Sequence, residues 1–159
     1  MTTTAPDFRW LTDDEQRSWR AWLEAGLLLV DRLEQELKAS DGLSGPEYEV
    51  LVRLSEAPDR RLRMSDLAAR TLSSKSRLSH QISRMAADGL VQREECVEDR
   101  RGAWAVLTDH GWDRLVAAAP SHVSSVRRWL VESMTEEEFH ELGRLCTKVL
   151  DRLQPGDVP

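Results

Sequence analysis

The sequence predicts a mainly α-helical fold carrying one small β-hairpin, on three observations. Apolar residues recur at steps of three and four along most of the chain, the spacing that lines one face of a helix. Boxes of the form S/T-x-x-E stand at Thr12, Ser44 and Thr135, where such runs begin, and each can make the reciprocal hydrogen bonds that start a helix. Only between Leu90 and Thr108 does the pattern change, to two short strand-like runs around a glycine-containing turn.

The first helix is expected from the Thr12 box to about Ala39. Its stripe is Trp19, Trp22, Leu23, Leu27, Val30, Leu33 and Leu37, and Ser40-Asp41-Gly42 ends it. A second helix follows Ser44, with Pro46 in the first turn, where a missing N–H costs nothing; it carries Val50, Leu51 and Leu54 and stops near Ala57-Pro58. A basic connector runs from Asp59 to Arg63, with room for a short strand at residues 61–63. Next comes a short helix over residues 65–71, with Leu67 and Ala68 inward, and a turn at Leu72-Ser73.

A fourth helix starts from a serine cap at Ser73 or Ser74 and reaches about Asp88, where Gly89 stops it. Leu78, Ile82 and Met85 face inward, which leaves Ser74, Lys75, Ser76, Arg77, Ser79, His80, Gln81 and Arg84 facing out. Strands are expected at residues 90–96 and 103–108, with Trp104 and Val106 on one face and Ala105 and Leu107 on the other. Thr108 caps a helix to about Ala119, and Pro120 interrupts or kinks it before the pattern resumes at Val123. The Thr135 box opens a last helix with Phe139, Leu142, Leu145, Val149 and Leu153.

Charge is distributed unevenly along this chain. The whole sequence carries a net charge of −6, with 22 Lys and Arg against 28 Asp and Glu. Between Arg60 and Arg93 the cations are Arg60, Arg61, Arg63, Arg70, Lys75, Arg77, Arg84 and Arg93, against only Asp66 and Asp88. A local positive surface attracts phosphate whatever the overall sign. Two short helices, a basic turn region and a hairpin in that order make a winged helix-turn-helix. In such a unit the second helix enters the major groove and presents side chains from its N-terminal part.

Ser74, Lys75, Ser76, Arg77, His80 and Gln81 hold that position here. Arg77 has the fork geometry to hold the O6 and N7 of guanine. Lys75 suits phosphate or guanine as a point charge, and Ser74 and Ser76 suit phosphate. The hairpin tip adds Asp99, Arg100 and Arg101; an arginine on a narrow tip fits the negative potential of the minor groove, and Asp99 can hold Arg101 in place.

Other chemistry is thinly represented. Cys96 and Cys146 match no metal spacing and read as ordinary thiols, the four histidines form no i,i+4 pair, and no cofactor is implied. No nucleophile–base pair or phosphate loop appears, which speaks against an enzyme. No apolar run approaches the ~20 residues of a membrane span, and MTTTAPDFRW lacks the order of a signal peptide; a cytoplasmic protein is expected.

With Asp99-Arg100-Arg101 followed by Leu107-Thr108, Ser65-Asp66-Leu67-Ala68, and Asp88-Gly89-Leu90-Val91, the sequence resembles the MarR family of bacterial transcription regulators over nearly its whole length. The resemblance implies a homodimer with N-terminal (1–43) and C-terminal (109–159) dimerisation helices around a winged helix-turn-helix DNA-binding domain (44–108). It implies that Arg101 is the minor-groove arginine and Asp99 its orienting partner. It also implies a repressor on a pseudo-palindromic DNA operator, released by small aromatic or lipophilic effectors bound between the dimer helices and the DNA-binding lobe. Trp19, Trp22 and Tyr48 could line such a ligand site, although aromatics at helical spacing ordinarily serve packing. The alternative function is a winged-helix protein-interaction module that does not bind DNA; it would need fewer outward cations than this segment has.

Overall fold

The computed structural model describes residues 8–95 and 102–153. The chain divides into two compact units, residues 1–32 and 33–159. Its elements are α1 (Asp13–Asp41), α2 (Gly45–Ser55), β1 (Arg61–Arg63), α3 (Met64–Arg70), α4 (Lys75–Ala87), β2 (Val91–Glu95), β3 (Ala103–Leu107), α5 (Asp109–Trp129) and α6 (Glu136–Leu153), with 3-10 turns at Pro58–Arg60 and Val131–Ser133. This is the mainly helical fold with a small β-wing expected from the sequence.

All three capping boxes form. Thr12 and Glu15 exchange hydrogen bonds through Glu15 Oε2 (2.7 Å) and Thr12 Oγ1 (3.3 Å). Ser44 and Glu47 do the same at the start of α2, with Pro46 in its first turn, and Thr135 and Glu138 do so at the start of α6. Each pair satisfies two amide groups that a helix start would otherwise leave without partners.

In the second unit the core gathers Leu37 and Leu43, then Val50, Leu51 and Leu54 of α2, Leu67 of α3, and Leu78, Ile82 and Met85 of α4. Leu90 and, from the sheet, Val91, Ala105 and Leu107 close it, with Leu115 and Ala118 from α5. The sheet order is β1-β3-β2, all antiparallel. As the alternation required, Ala105 and Leu107 are buried while Trp104 and Val106 lie on the other face, partly covered.

The expected interruption at Pro120 does not occur: α5 runs unbroken from Asp109 to Trp129. Proline in a helix interior removes the bond to the carbonyl four residues earlier, here that of Val116. Pro120 and Val116 are both exposed, so the freed carbonyl lies on the solvent side of the helix. The other side is anchored against the end of α1. Ser125 Oγ and Trp129 Nε1 donate to the Glu36 carboxylate at 2.5 and 2.8 Å. Ser121 Oγ donates to Asp41 Oδ2 at 2.5 Å, and Arg114 donates to the Asp41 carbonyl at 2.6 Å. Hydrogen bonds from Ser121 and Ser40 hold the Asp41 carboxyl below its ordinary pKa.

Candidate nucleic-acid interface

The turn between α3 and α4 is tight. Thr71 Oγ1 closes α3 on the Leu67 carbonyl at 2.8 Å. Leu72 takes a left-handed conformation (φ 50°) with its side chain 80% exposed, and the Ser73 amide returns to the Ala68 carbonyl at 3.0 Å. Ser74 is then the N-cap of α4, its Oγ accepting from the Arg77 amide at 3.3 Å. No acid stands in the first turn, so nothing there opposes an incoming phosphate at the positive helix end.

The apolar side of α4 fixes which residues look outward. Leu78, Ile82 and Met85 are fully buried, and Ser74, Lys75, Ser76, Arg77 and His80 are exposed. Gln81 is a correction to the expected outward face. It is only 8% exposed, with Nε2 4.0 Å from Met85 Sδ. At helical spacing, positions 78, 81, 82 and 85 form one stripe, so Gln81 belongs to the buried side despite its polarity. α4 ends at Gly89 (φ 73°), with Leu90 N donating to Met85 O at 2.9 Å and Gly89 N to Ala86 O at 3.1 Å, the paired bonds of a Schellman end.

Two clefts flank this helix. One, of about 450 Å³, has Arg77, His80 and Arg84 facing Glu34, Ser44 and Pro46. The other, of about 330 Å³, brings Arg63, Ser65, Lys75, Ser79 and Arg93 together beside Gly102. The cations that were scattered in sequence are thus gathered on either side of α4.

The wing is rooted firmly. Thr108 caps α5 by accepting from the Gly111 amide at 2.9 Å, and its hydroxyl lies 2.7 Å from the Gly89 carbonyl. A side chain on Gly111 would place Cβ 2.0 Å from the Leu90 carbonyl oxygen, so only glycine permits this approach of α5 to the start of β2. On the outer face Trp104 pairs with Arg63 in register. The Arg61 guanidinium stands 4.2 Å from its ring centroid and that of Arg63 5.2 Å. Arg61 also reaches Glu94 at 3.8 Å. The wing-tip residues Asp99, Arg100 and Arg101, and Cys96, lie outside the described residues.

A sequence model of the MarR family matches residues 41–102. The HTH-type transcriptional repressor YetL of Bacillus subtilis (strain 168) is 30% identical over 115 residues, covering 72% of this chain and 68% of that protein. The chain belongs to the MarR family. Two MarR-family transcriptional regulators of Streptomyces coelicolor are similar over nearly the whole length. AbsC is 48% identical with a TM-score of 0.87, covering 94% of this chain and 100% of its own. Sco3205, whose crystal structure is a complex with DNA, is 42% identical with a TM-score of 0.90, covering 95% of both chains.

This MarR-family transcriptional regulator therefore comes from a family of regulators rather than of enzymes. Among its described residues no helix is long and apolar enough to cross a membrane. Of the aromatics expected at a ligand site, Trp19 and Trp22 lie in the first unit, ring centroids 5.5 Å apart and each about half exposed. Tyr48 lies in the second, against His122 at 4.4 Å. Burial, with the nearby Asp41 charge, raises the Tyr48 pKa. The sequence counts Arg63 and Arg93 among the cations of the basic segment and places Trp104 on a strand face, but does not bring the three residues to one place. The charge excess between Arg60 and Arg93 and the strand alternation that sets Trp104 on the face opposite Ala105 are the signals for parts of that arrangement.

Proposed function

We propose that this regulator is a homodimeric cytoplasmic repressor that binds a pseudo-palindromic operator through residues 44–108, with residues 1–43 and 109–159 as its dimer frame. The observation that carries the reading is α4: its apolar side is spent on the core, and its N-terminal half offers Ser74, Lys75, Ser76, Arg77 and His80 with no acid among them. The DNA complex of Sco3205, at 42% identity, supports the same use of the fold. Arg101 and Asp99 of the wing tip complete the proposed interface at the minor groove, with Arg100 beside them.

The dimer is supported by α6, which has no buried residue and leaves Leu145, Val149, Leu150 and Leu153 exposed. Symmetric pairing is the commonest way to cover such a stripe. Release by a small aromatic or lipophilic ligand belongs to the same proposal.

Selection of bound duplexes from a random pool at near-physiological salt tests the reading. The expected product is a palindrome with half-sites about one helical turn apart, roughly 34–36 Å. Arg77→Ala should then lose roughly 1–3 kcal/mol of discrimination at one base pair of each half-site. Enrichment of no duplex at all rejects DNA binding, and an Arg77→Ala protein with unchanged preference rejects α4 as the reader.

A further inference from the structure

We propose that Leu72, in the turn between α3 and α4, is a specificity-determining residue whose side chain covers a thymine methyl group of the bound duplex. The inference rests on the DNA-binding reading above.

The turn demands a left-handed residue. The Ser73 amide donates to the Ala68 carbonyl at 3.0 Å and the Leu72 amide to the Ala69 carbonyl at 3.2 Å. The same offsets end α4, where Leu90 donates to Met85 and Gly89 to Ala86. A helix end of this kind needs one residue at positive φ, and glycine is its usual occupant because a Cβ there crowds the backbone. α1 and α4 follow that rule, with Gly42 at φ 70° and Gly89 at φ 73°. Space is not the reason for either glycine: an added Cβ would meet Arg114 at 4.0 Å from Gly42 and His110 at 3.9 Å from Gly89, both ordinary contacts. Of these three helix ends, that of α3 alone carries a large side chain at the left-handed position, Leu72 at φ 50°.

That side chain adds little to the fold. Leu67 before it and Leu78 after it are fully buried, whereas Leu72 is 80% exposed. A residue that strains the backbone and leaves its apolar side chain in water is accounted for by a contact outside its own chain.

Its surroundings select the partner. Leu72 is the one apolar residue between Arg70 and Arg77, and Arg70, Ser74, Lys75 and Ser76 are exposed around it. A protein partner calls for a contiguous apolar patch. A duplex calls for cations to meet its phosphates and for single apolar groups to meet the thymine methyl, which projects into the major groove. The position suits that groove. Ser74 caps α4, and two residues of chain span at most ~7 Å, so Leu72 stands at the groove edge when the first turn of α4 enters it.

The test uses the full chain and the duplex recovered by selection, with each thymine of a half-site replaced in turn by deoxyuridine, which lacks only the methyl group. At one position the replacement should weaken the wild type about fourfold per half-site, as loss of one buried methyl-sized group predicts. Leu72→Ala should lose about as much on the thymine duplex and be indifferent to that replacement. Leu72→Met, which keeps an apolar reach, should bind within about twofold of the wild type. The slope of log affinity against log salt should not change in any of them, since no phosphate contact is lost. Leu72→Gly should bind as weakly as Leu72→Ala yet denature no earlier than the wild type, because it gives up the contact and the strain together. The proposal is overturned if Leu72→Ala and Leu72→Gly keep wild-type affinity, if their losses come with a shallower salt slope, or if no thymine position falls silent in Leu72→Ala. It is also overturned if Leu72→Gly denatures earlier, which would assign the side chain to the fold. A wild-type protein that enriches no duplex rejects the DNA-binding reading itself.

Discussion

α4 and α6 are both amphipathic helices, and their apolar sides meet opposite fates. On α4, Leu78, Ile82 and Met85 are wholly buried. On α6 no residue is buried, and Leu145, Val149, Leu150 and Leu153 stay exposed. A helix whose apolar side already serves its own chain can offer a partner only its polar face. It must be met by charge and hydrogen bonds, as a nucleic acid would meet it. A helix whose apolar side is uncovered calls for an apolar partner, and the proposed second copy supplies the same stripe. Periodicity alone does not separate these cases; the difference lies in what the rest of the chain brings to each helix.

The largest effect expected of this contrast comes from α6. Leu145→Glu with Val149→Glu removes two side chains that would each contribute roughly 1.5–3 kcal/mol on burial, and a symmetric pair loses both twice. Light scattering should show association abolished at concentrations where the wild type is a dimer. An unchanged mass would mean that α6 is not the dimer surface and would break the comparison on that side.

Next in size is the core side of α4. Leu78→Ala leaves a cavity in a fully buried site and should cost about 2–5 kcal/mol, read as a lower denaturation midpoint. Its outward face should respond less: Ser74→Ala removes the cap on the Arg77 amide and should cost about 1 kcal/mol in stability. It should also weaken DNA binding, because the first turn carries the contacts. If Ser74→Ala proved as destabilising as Leu78→Ala, the division of α4 into a structural and a presenting side would fail.

What the sequence revealed follows from the range of the forces involved. Ser44 with Glu47, Thr135 with Glu138, and the Gly89 stop act within a few residues, so spacing alone located them. Gln81 was misplaced because its polarity was weighed above its position, although positions 78, 81, 82 and 85 share one helix face. Local grounds alone predict that Pro120 interrupts or kinks α5, and the helix is not interrupted there. The bonds that anchor that helix join Glu36 to Ser125 and Trp129, and Asp41 to Arg114 and Ser121, pairs separated by more than seventy residues that no local pattern announces. The same holds for the interface: the exposed row from Ser74 to His80 was legible as one turn of helix after another. The cleft joining Arg63, Lys75 and Arg93 exists only once the sheet has closed.

The smallest effect concerns a group that fits neither side of the comparison. His122 of α5 has its Nδ1 buried with no hydrogen-bond partner among the described residues, and its ring lies against Tyr48 of α2. Burial lowers its pKa, opposed by the Glu49 charge. An imidazole in the unfolded chain takes up its proton near pH ~6.5, before the folded one does. As pH falls below that value the unfolded state binds more protons, so stability is lost on acidification and is fully present above it. His122→Phe keeps a ring against Tyr48 and removes the titration. Between pH 7.5 and 5.5 the wild type should lose more thermal stability than His122→Phe. At pH 7.5 the variant should be at least as stable, because the unpartnered nitrogen is gone. The window lies above that of Asp41, whose lowered pKa places its own loss of stability at more acid pH, and His80, His110 and His140 are common to both proteins. Equal losses in the two proteins would show that the uncovered nitrogen has no energetic consequence, and that the contact between α2 and α5 is indifferent to the charge of this ring.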